Sequence, residues 1–185
     1  VSIAAHSFAV TAESLCYMPG YGIGAAATTL VGRNIGAGKH AEAKRCGNIC
    51  TAMGGVFMGV TGAIMMLLCP LVFRMLTPDP EVRTLAAQVL RIGLLAEPLY
   101  GVSIVAAGAL RGAGDTLVPS VMNLASIWGV RLGLALWLTP RFGLRGMWTA
   151  MAVELCVRGL LMLLRQRTTK YYAHSVVQTQ EMCEE

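Results

Sequence analysis

Glu97 stands directly before Pro98, near the middle of an apolar stretch that covers residues 84–110. Pro98 lacks a backbone donor and frees a carbonyl one turn earlier. A carboxylate beside an opened backbone offers the oxygen ligands that a proton or sodium site uses. Further ionisable side chains lie in apolar surroundings: Glu13, Arg91, Arg131, Glu154 and Arg158. Each costs roughly 2.5–3.5 kcal/mol to place at the centre of a bilayer helix, so such residues serve pathways or pair with one another. Glu154 and Arg158 are four apart, share a helix face and can neutralise each other. Arg91 lies within two turns of a helix end and can snorkel outward. Two roles stand open for Glu97: ion coupling, or pairing with Arg131 or a neighbouring helix. The ion-coupling candidates are therefore Glu97, Glu13 and Glu154. Tyr17, Tyr100, Asn123 and Arg131 are the candidates for lining a cavity.

Other chemistries find no support. GYGIGAAAT from Gly20 looks like a dinucleotide loop, but it lies in an apolar helix and its third glycine is misplaced. GAGKH from Gly36 fails as a phosphate loop, because Arg33 stands where the first Gly belongs and His40 replaces Ser/Thr. There is no HExxH and no GxSxG. His6, His40 and His174 are too scattered for a metal site. The six cysteines, Cys16, Cys46, Cys50, Cys69, Cys156 and Cys183, form no CxxC and read as small buried residues. An enzyme would need a convergent catalytic set that is not here. No cofactor or metal is expected beyond a coupling Na+ or H+.

The elements that must hold these residues are membrane helices. The chain of 185 residues is 55% hydrophobic and 14% charged, whereas soluble domains carry nearer 25% charged residues. Residues 49–73 form a run with no charge at all. At about 1.5 Å per residue that run can cross a hydrocarbon core of roughly 30 Å. The fold class is all-α integral membrane, with five transmembrane helices at about 8–35, 49–76, 84–110, 117–139 and 144–164. Residues 1–166 form the bundle and 167–185 a polar tail. The first segment is the least oily: Glu13, Ser14, Tyr17 and Pro19 precede a run of Gly, Ala and Thr. Small residues let helices approach closely, and a proline invites a bend. Packing against a partner helix and lining a cavity are both open to it.

Short links make successive helices antiparallel neighbours. Two of them contain GAG, at 36–38 and 112–114, which ends a helix by tolerating positive φ. Arg33, Lys39, Lys44, Arg45, Arg111, Arg165, Arg167 and Lys170 then fall on one side, and Arg74, Arg83, Arg141 and Arg145 on the other. Eight against four makes the first side cytoplasmic, with the C-terminus inside. The same loops account for the net charge of +5, so no nucleic-acid partner is expected. The chain starts at Val1 and is expected to be part of a longer one, with an upstream helix missing.

Three blocks resemble the multidrug and toxic compound extrusion (MATE) family. They are IAAHSFAVTAESLCYMPGYGIGAAATTLVGRNIGAGKHAEAKR at 3–45, ALRGAGDTLVP at 109–119 and GLRGMWTAMAVELCVRG at 143–159. The resemblance covers about residues 1–166. It implies a twelve-helix, two-lobe antiporter with both termini inside, in which small cationic substrates or drugs leave through a central cleft as sodium or protons enter. This chain would supply five helices of the six-helix C-lobe. The N-lobe and the first C-lobe helix would be its missing partners, and the lipid bilayer its surroundings. Some members carry a coupling acid at the position that falls here on Tyr100; Glu97, one turn away on the same face, is the substitute. The resulting expectation is drug efflux by sodium or proton antiport across a bacterial inner membrane. A lipid-linked saccharide flippase of related architecture is the first rival, favoured by Arg91 and Arg131 facing inward. A non-transporting membrane subunit is the second, favoured if every buried charge is paired.

Overall fold

The computed structural model describes residues 2–168, and every regular element among them is helical. The order is α1 (Ser2–Gly36), α2 (His40–Leu76), α3 (Pro80–Leu94), α4 (Glu97–Gly112), α5 (Leu117–Ala125), a π-helical stretch (Ser126–Leu132), α6 (Gly133–Phe142) and α7 (Leu144–Thr168). The expected tail lies outside the described residues except for Arg167 and Thr168, which continue α7.

The helix ends obey local chemistry. Both GAG links close a helix with the same pair of bonds. Gly38 N–H donates to the Ile35 carbonyl and Lys39 N–H to the Asn34 carbonyl, each at 2.9 Å; Gly114 and Asp115 repeat this on Arg111 and Leu110, each at 3.0 Å. This pattern needs a left-handed residue, and Gly38 and Gly114 supply it with φ of +71° and +86°. At the start of α3 the Asp79 carboxylate accepts from Glu81 N–H at 2.9 Å. Pro80 comes next as the first helical residue, where its missing N–H costs nothing.

The stretch 84–110, expected as one span, is two helices. α3 and α4 meet at a 51° bend across Leu95 and Ala96. Pro98 lies in the first turn of α4 rather than inside a continuous helix. Its ring cannot donate to a carbonyl one turn back, and the chain accommodates this by restarting. The expected second span also begins earlier, at His40, so α2 carries a charged turn before its apolar run.

α2, the α5–α6 pair and α7 are long and apolar enough to cross a bilayer, and the bent α3–α4 pair is a fourth if its two helices count as one span. α1 has the length, at about 52 Å for 35 residues, but lacks comparable oiliness. It sits between α2, α3 and α4 and meets α4 through small residues. A Cβ on Gly108 would run into the Gly24 carbonyl, and one on Gly112 into the Thr28 carbonyl. Thr28 Oγ1 donates across the seam to the Gly108 carbonyl at 2.8 Å. Close backbone approach is what small residues give membrane helices in place of a hydrophobic driving force.

The buried apolar side chains fall into two clusters. One gathers Val31, Val105, Leu110 and Met162 near the GAG links. The other gathers Phe73, Val82, Leu90 and Trp148 near the opposite end. Polar residues occupy the level between them along α1, α4 and α7, and that belt holds the candidate site.

Candidate functional site

Glu97 heads α4 and is 1% exposed. Its Cβ and Cγ lie against Gly62 of α2. Neither carboxylate oxygen has a hydrogen-bond partner among the described residues. Glu13 comes from α1, is 6% exposed, and sets its Oε1 against Gly93 beside the Trp148 ring. The two carboxylates act on each other electrostatically. They therefore flank the α3–α4 break, one from α1 and one from the first turn of α4.

The pairing of Glu97 with Arg131 does not form. Arg131 lies in the π stretch and is exposed; its charge acts on Glu13 instead. Asn123 and Ser126 face α7, where they meet Arg158 and Glu154. Arg91 is exposed as well.

Glu154 is differently placed. It is fully buried on α7, and Ser126 donates a 2.9 Å hydrogen bond to its Oε1. Arg158 Nε stands 3.3 Å from the same oxygen as a charge contact, its N–H not aligned for a hydrogen bond. Arg158 also donates to Asn123 Oδ1 and lies over the Tyr100 ring at 5.6 Å. One arginine thus ties α7 to α5 and α4.

Tyr17, Tyr21 and Tyr100 meet edge to face, with centroids 6.0 Å apart for Tyr17–Tyr21 and 5.9 Å for Tyr17–Tyr100. Next to them opens a cavity of about 180 Å³ lined by Tyr21, Tyr100, Ser103, Arg111, Asn123 and Arg158, among others. Of the residues expected to line a cavity, Tyr100 and Asn123 do so, Tyr17 packs on its tyrosine wall, and Arg131 lies elsewhere. Glu97 and Glu13 lie outside this cavity. Tyr21, Ser103 and Arg111 were not singled out from the sequence; Tyr21 was legible as the residue one turn after Tyr17. Past the cavity, Arg165 Nη2 pairs with Asp115 at 3.0 Å and holds the α4–α5 link to the end of α7.

The cysteines Cys16, Cys50 and Cys69 are buried, Cys46 and Cys156 partly so, and all five are free thiols.

The chain is thus an all-helical membrane bundle with buried polar residues and a cavity beside them. The family model MatE matches residues 1–137, and the chain belongs to that family. It is 32% identical over 169 residues to the multidrug resistance protein PmpM of Pseudomonas aeruginosa, covering 88% of this chain and 35% of that protein. It is 36% identical over 181 residues to a probable multidrug resistance protein NorM of Brucella suis, covering 94% and 38%. Among solved structures it is similar to a MATE protein in complex with MaD3S, with a TM-score of 0.83, 22% identity, and coverage of 92% of this chain and 39% of that one. The MATE transporter ClbM in complex with Rb+ gives a TM-score of 0.82, 18% identity, and coverage of 94% and 42%. The chain thus spans little more than a third of the curated relatives it matches.

Proposed function

We propose that this chain is the ion-coupling lobe of a secondary multidrug efflux antiporter in a bacterial inner membrane, with its C-terminus in the cytoplasm. Organic cations or drugs leave as sodium or protons enter. The observation that carries this reading is Glu97: a carboxylate 1% exposed, with both oxygens unpartnered among the described residues, at a helix break. A buried charge that serves only structure is paired. A buried carboxylate without a partner suits a cation that comes and goes, and Glu13 supplies a second set of oxygens nearby. Occupation of the pair would favour one orientation of the lobe over another, and a bent helix is the element that can respond.

Glu97→Gln in the whole transporter tests this. Gradient-driven ethidium efflux should be lost while expression and dye binding persist. Normal efflux at normal expression would reject the coupling role. Cysteine labelling from outside the cell should reach position 142 and not position 114; labelling of 114 would reverse the orientation.

A second reading rests on the cavity. Arg111 and Arg158 line it and no carboxylate does, which suits an anionic substrate such as a lipid-linked saccharide. If Arg111→Gln abolished transport of an anionic lipid-linked substrate and left ethidium efflux intact, this reading would replace the first.

A further inference from the structure

Trp148 stands at the start of the second turn of α7 and is 1% exposed. The two ends of its indole meet different groups. Nε1 donates to His6 Nδ1 at 3.3 Å, and the two rings meet edge to face with centroids 5.9 Å apart. The far edge lies over Gly93. A Cβ on Gly93 would stand 2.9 Å from Trp148 Cζ3 and 3.1 Å from Glu13 Oε1, so the ring edge and the carboxylate rest on the same glycine. His6 and Glu13 are seven residues apart on α1, on one face and about 10 Å apart along the axis. One indole therefore reaches from the level of His6 to that of Glu13. His6 is the one nearer the end of the bundle opposite the GAG links. It is half-buried, whereas Glu13 is almost fully covered.

The packing around the indole is apolar: Ala9, Ala12, Val89 and Leu90 are among the buried side chains that share its cluster. An ion crosses apolar cover at high cost, and the His6–Trp148 bond is a polar break in that cover. Gly93 also belongs to the last turn of α3, and its carbonyl accepts from Ala96 N–H at 2.9 Å across the helix break. A change in the α3–α4 bend would move the surface on which the indole rests. We propose that Trp148 is a gating residue. It closes the route to Glu13 and Glu97 from the end of the bundle opposite the GAG links, and its hydrogen bond to His6 holds it shut. Opening breaks that one bond and lifts the ring off Gly93. This rests on the coupling role given above to Glu97 and Glu13.

Two native thiols make the test. Cys16 is buried, lies one turn from Glu13 on α1, and feels the charge of both carboxylates. It reports arrival at the site. Cys69 is buried in the same apolar cluster, with its thiol on the Ala87 carbonyl at 3.8 Å, and reports general loosening. The whole polypeptide that carries this chain is reconstituted in vesicles with either Cys16 or Cys69 as its single cysteine. A membrane-impermeant cationic methanethiosulfonate is added to one side, and labelling is followed by mass. Trp148→Phe and His6→Phe each keep a ring and remove the hydrogen bond. Each should speed Cys16 labelling about five-fold from the side of the His6 end. Trp148→Ala should speed it more, and Cys69 should keep its native rate in all three. The two Phe variants carry the test if Trp148→Ala does not fold. An unchanged Cys16 rate in the folded variants would overturn the gate. So would a rise matched by Cys69, or an equal rise from the side of the GAG links. These rates do not require Glu97 to bind an ion, so normal efflux in Glu97→Gln would reject the coupling reading while Cys16 alone decides the gate.

Discussion

Glu154 and Glu97 are both glutamates, both almost fully buried, and both at the middle level of the bundle, yet their surroundings are opposite. Glu154 meets a serine hydroxyl and a guanidinium, and through Arg158 it is joined to α4 and α5. Glu97 lays its Cβ and Cγ against Gly62, with no donor for either oxygen among the described residues. The first arrangement is a clamp: Glu154 Oε1 and Arg158 together hold α7 to the π stretch, α5 and α4, while Glu154 Oε2 has no partner among the described residues. The second is a shortfall of donors, placed where the backbone already bends. Burial alone therefore does not separate the two carboxylates; the presence of a donor and a cation at one and not at the other does.

The comparison is most easily broken at Arg158. Arg158→Met leaves Glu154 buried without its cation, and removing one partner of a buried pair costs about 3–5 kcal/mol. A thermal melt of the detergent-solubilised whole protein should show a large drop, and Glu154→Gln added to Arg158→Met should recover part of it. If Arg158→Met melts like the native protein, Glu154 is not clamped. Ser126→Ala removes a hydrogen bond to a charged group, worth about 1.5–3 kcal/mol, so the same measurement should show a smaller loss. Gly108→Val addresses the frame around both sites. Its side chain meets the Gly24 carbonyl, and overpacking costs about 1–3 kcal/mol; cross-linking between α1 and α4 should weaken with it. The smallest stability change belongs to Glu97→Gln, within about 0.5 kcal/mol, because no partner is stranded. A large loss there would reveal an ion partner for Glu97 and erase the contrast with Glu154.

The comparison also shows why sequence reasoning reached different depths at the two glutamates. The Glu154–Arg158 pair is a local feature: four residues apart on one helix, it is fixed by helix geometry alone. Its further links to Asn123 and Ser126 are contacts over 35 and 28 residues, and no periodicity encodes them. For Glu97 the neighbouring proline marked an irregular backbone, and the irregularity is there. Its form, two helices at 51°, depends on how α3 and α4 pack against α1, α2 and α7.

Composition, the uncharged run at 49–73 and the two GAG links determined an all-helical membrane bundle and two of its turns, because helix length, apolarity and a left-handed residue are properties of short stretches. The resemblance of three blocks placed the chain in its family, which the family model matching residues 1–137 bears out. Only the tertiary structure decided which charges are satisfied. The same carboxylate type became a clamp on α7 and an unpartnered acid on α4. Whether a donor arrives at a buried oxygen is set by how distant helices pack: Ser126 reaches Glu154 over 28 residues, whereas no donor among the described residues reaches Glu97, and no short stretch of sequence encodes either outcome.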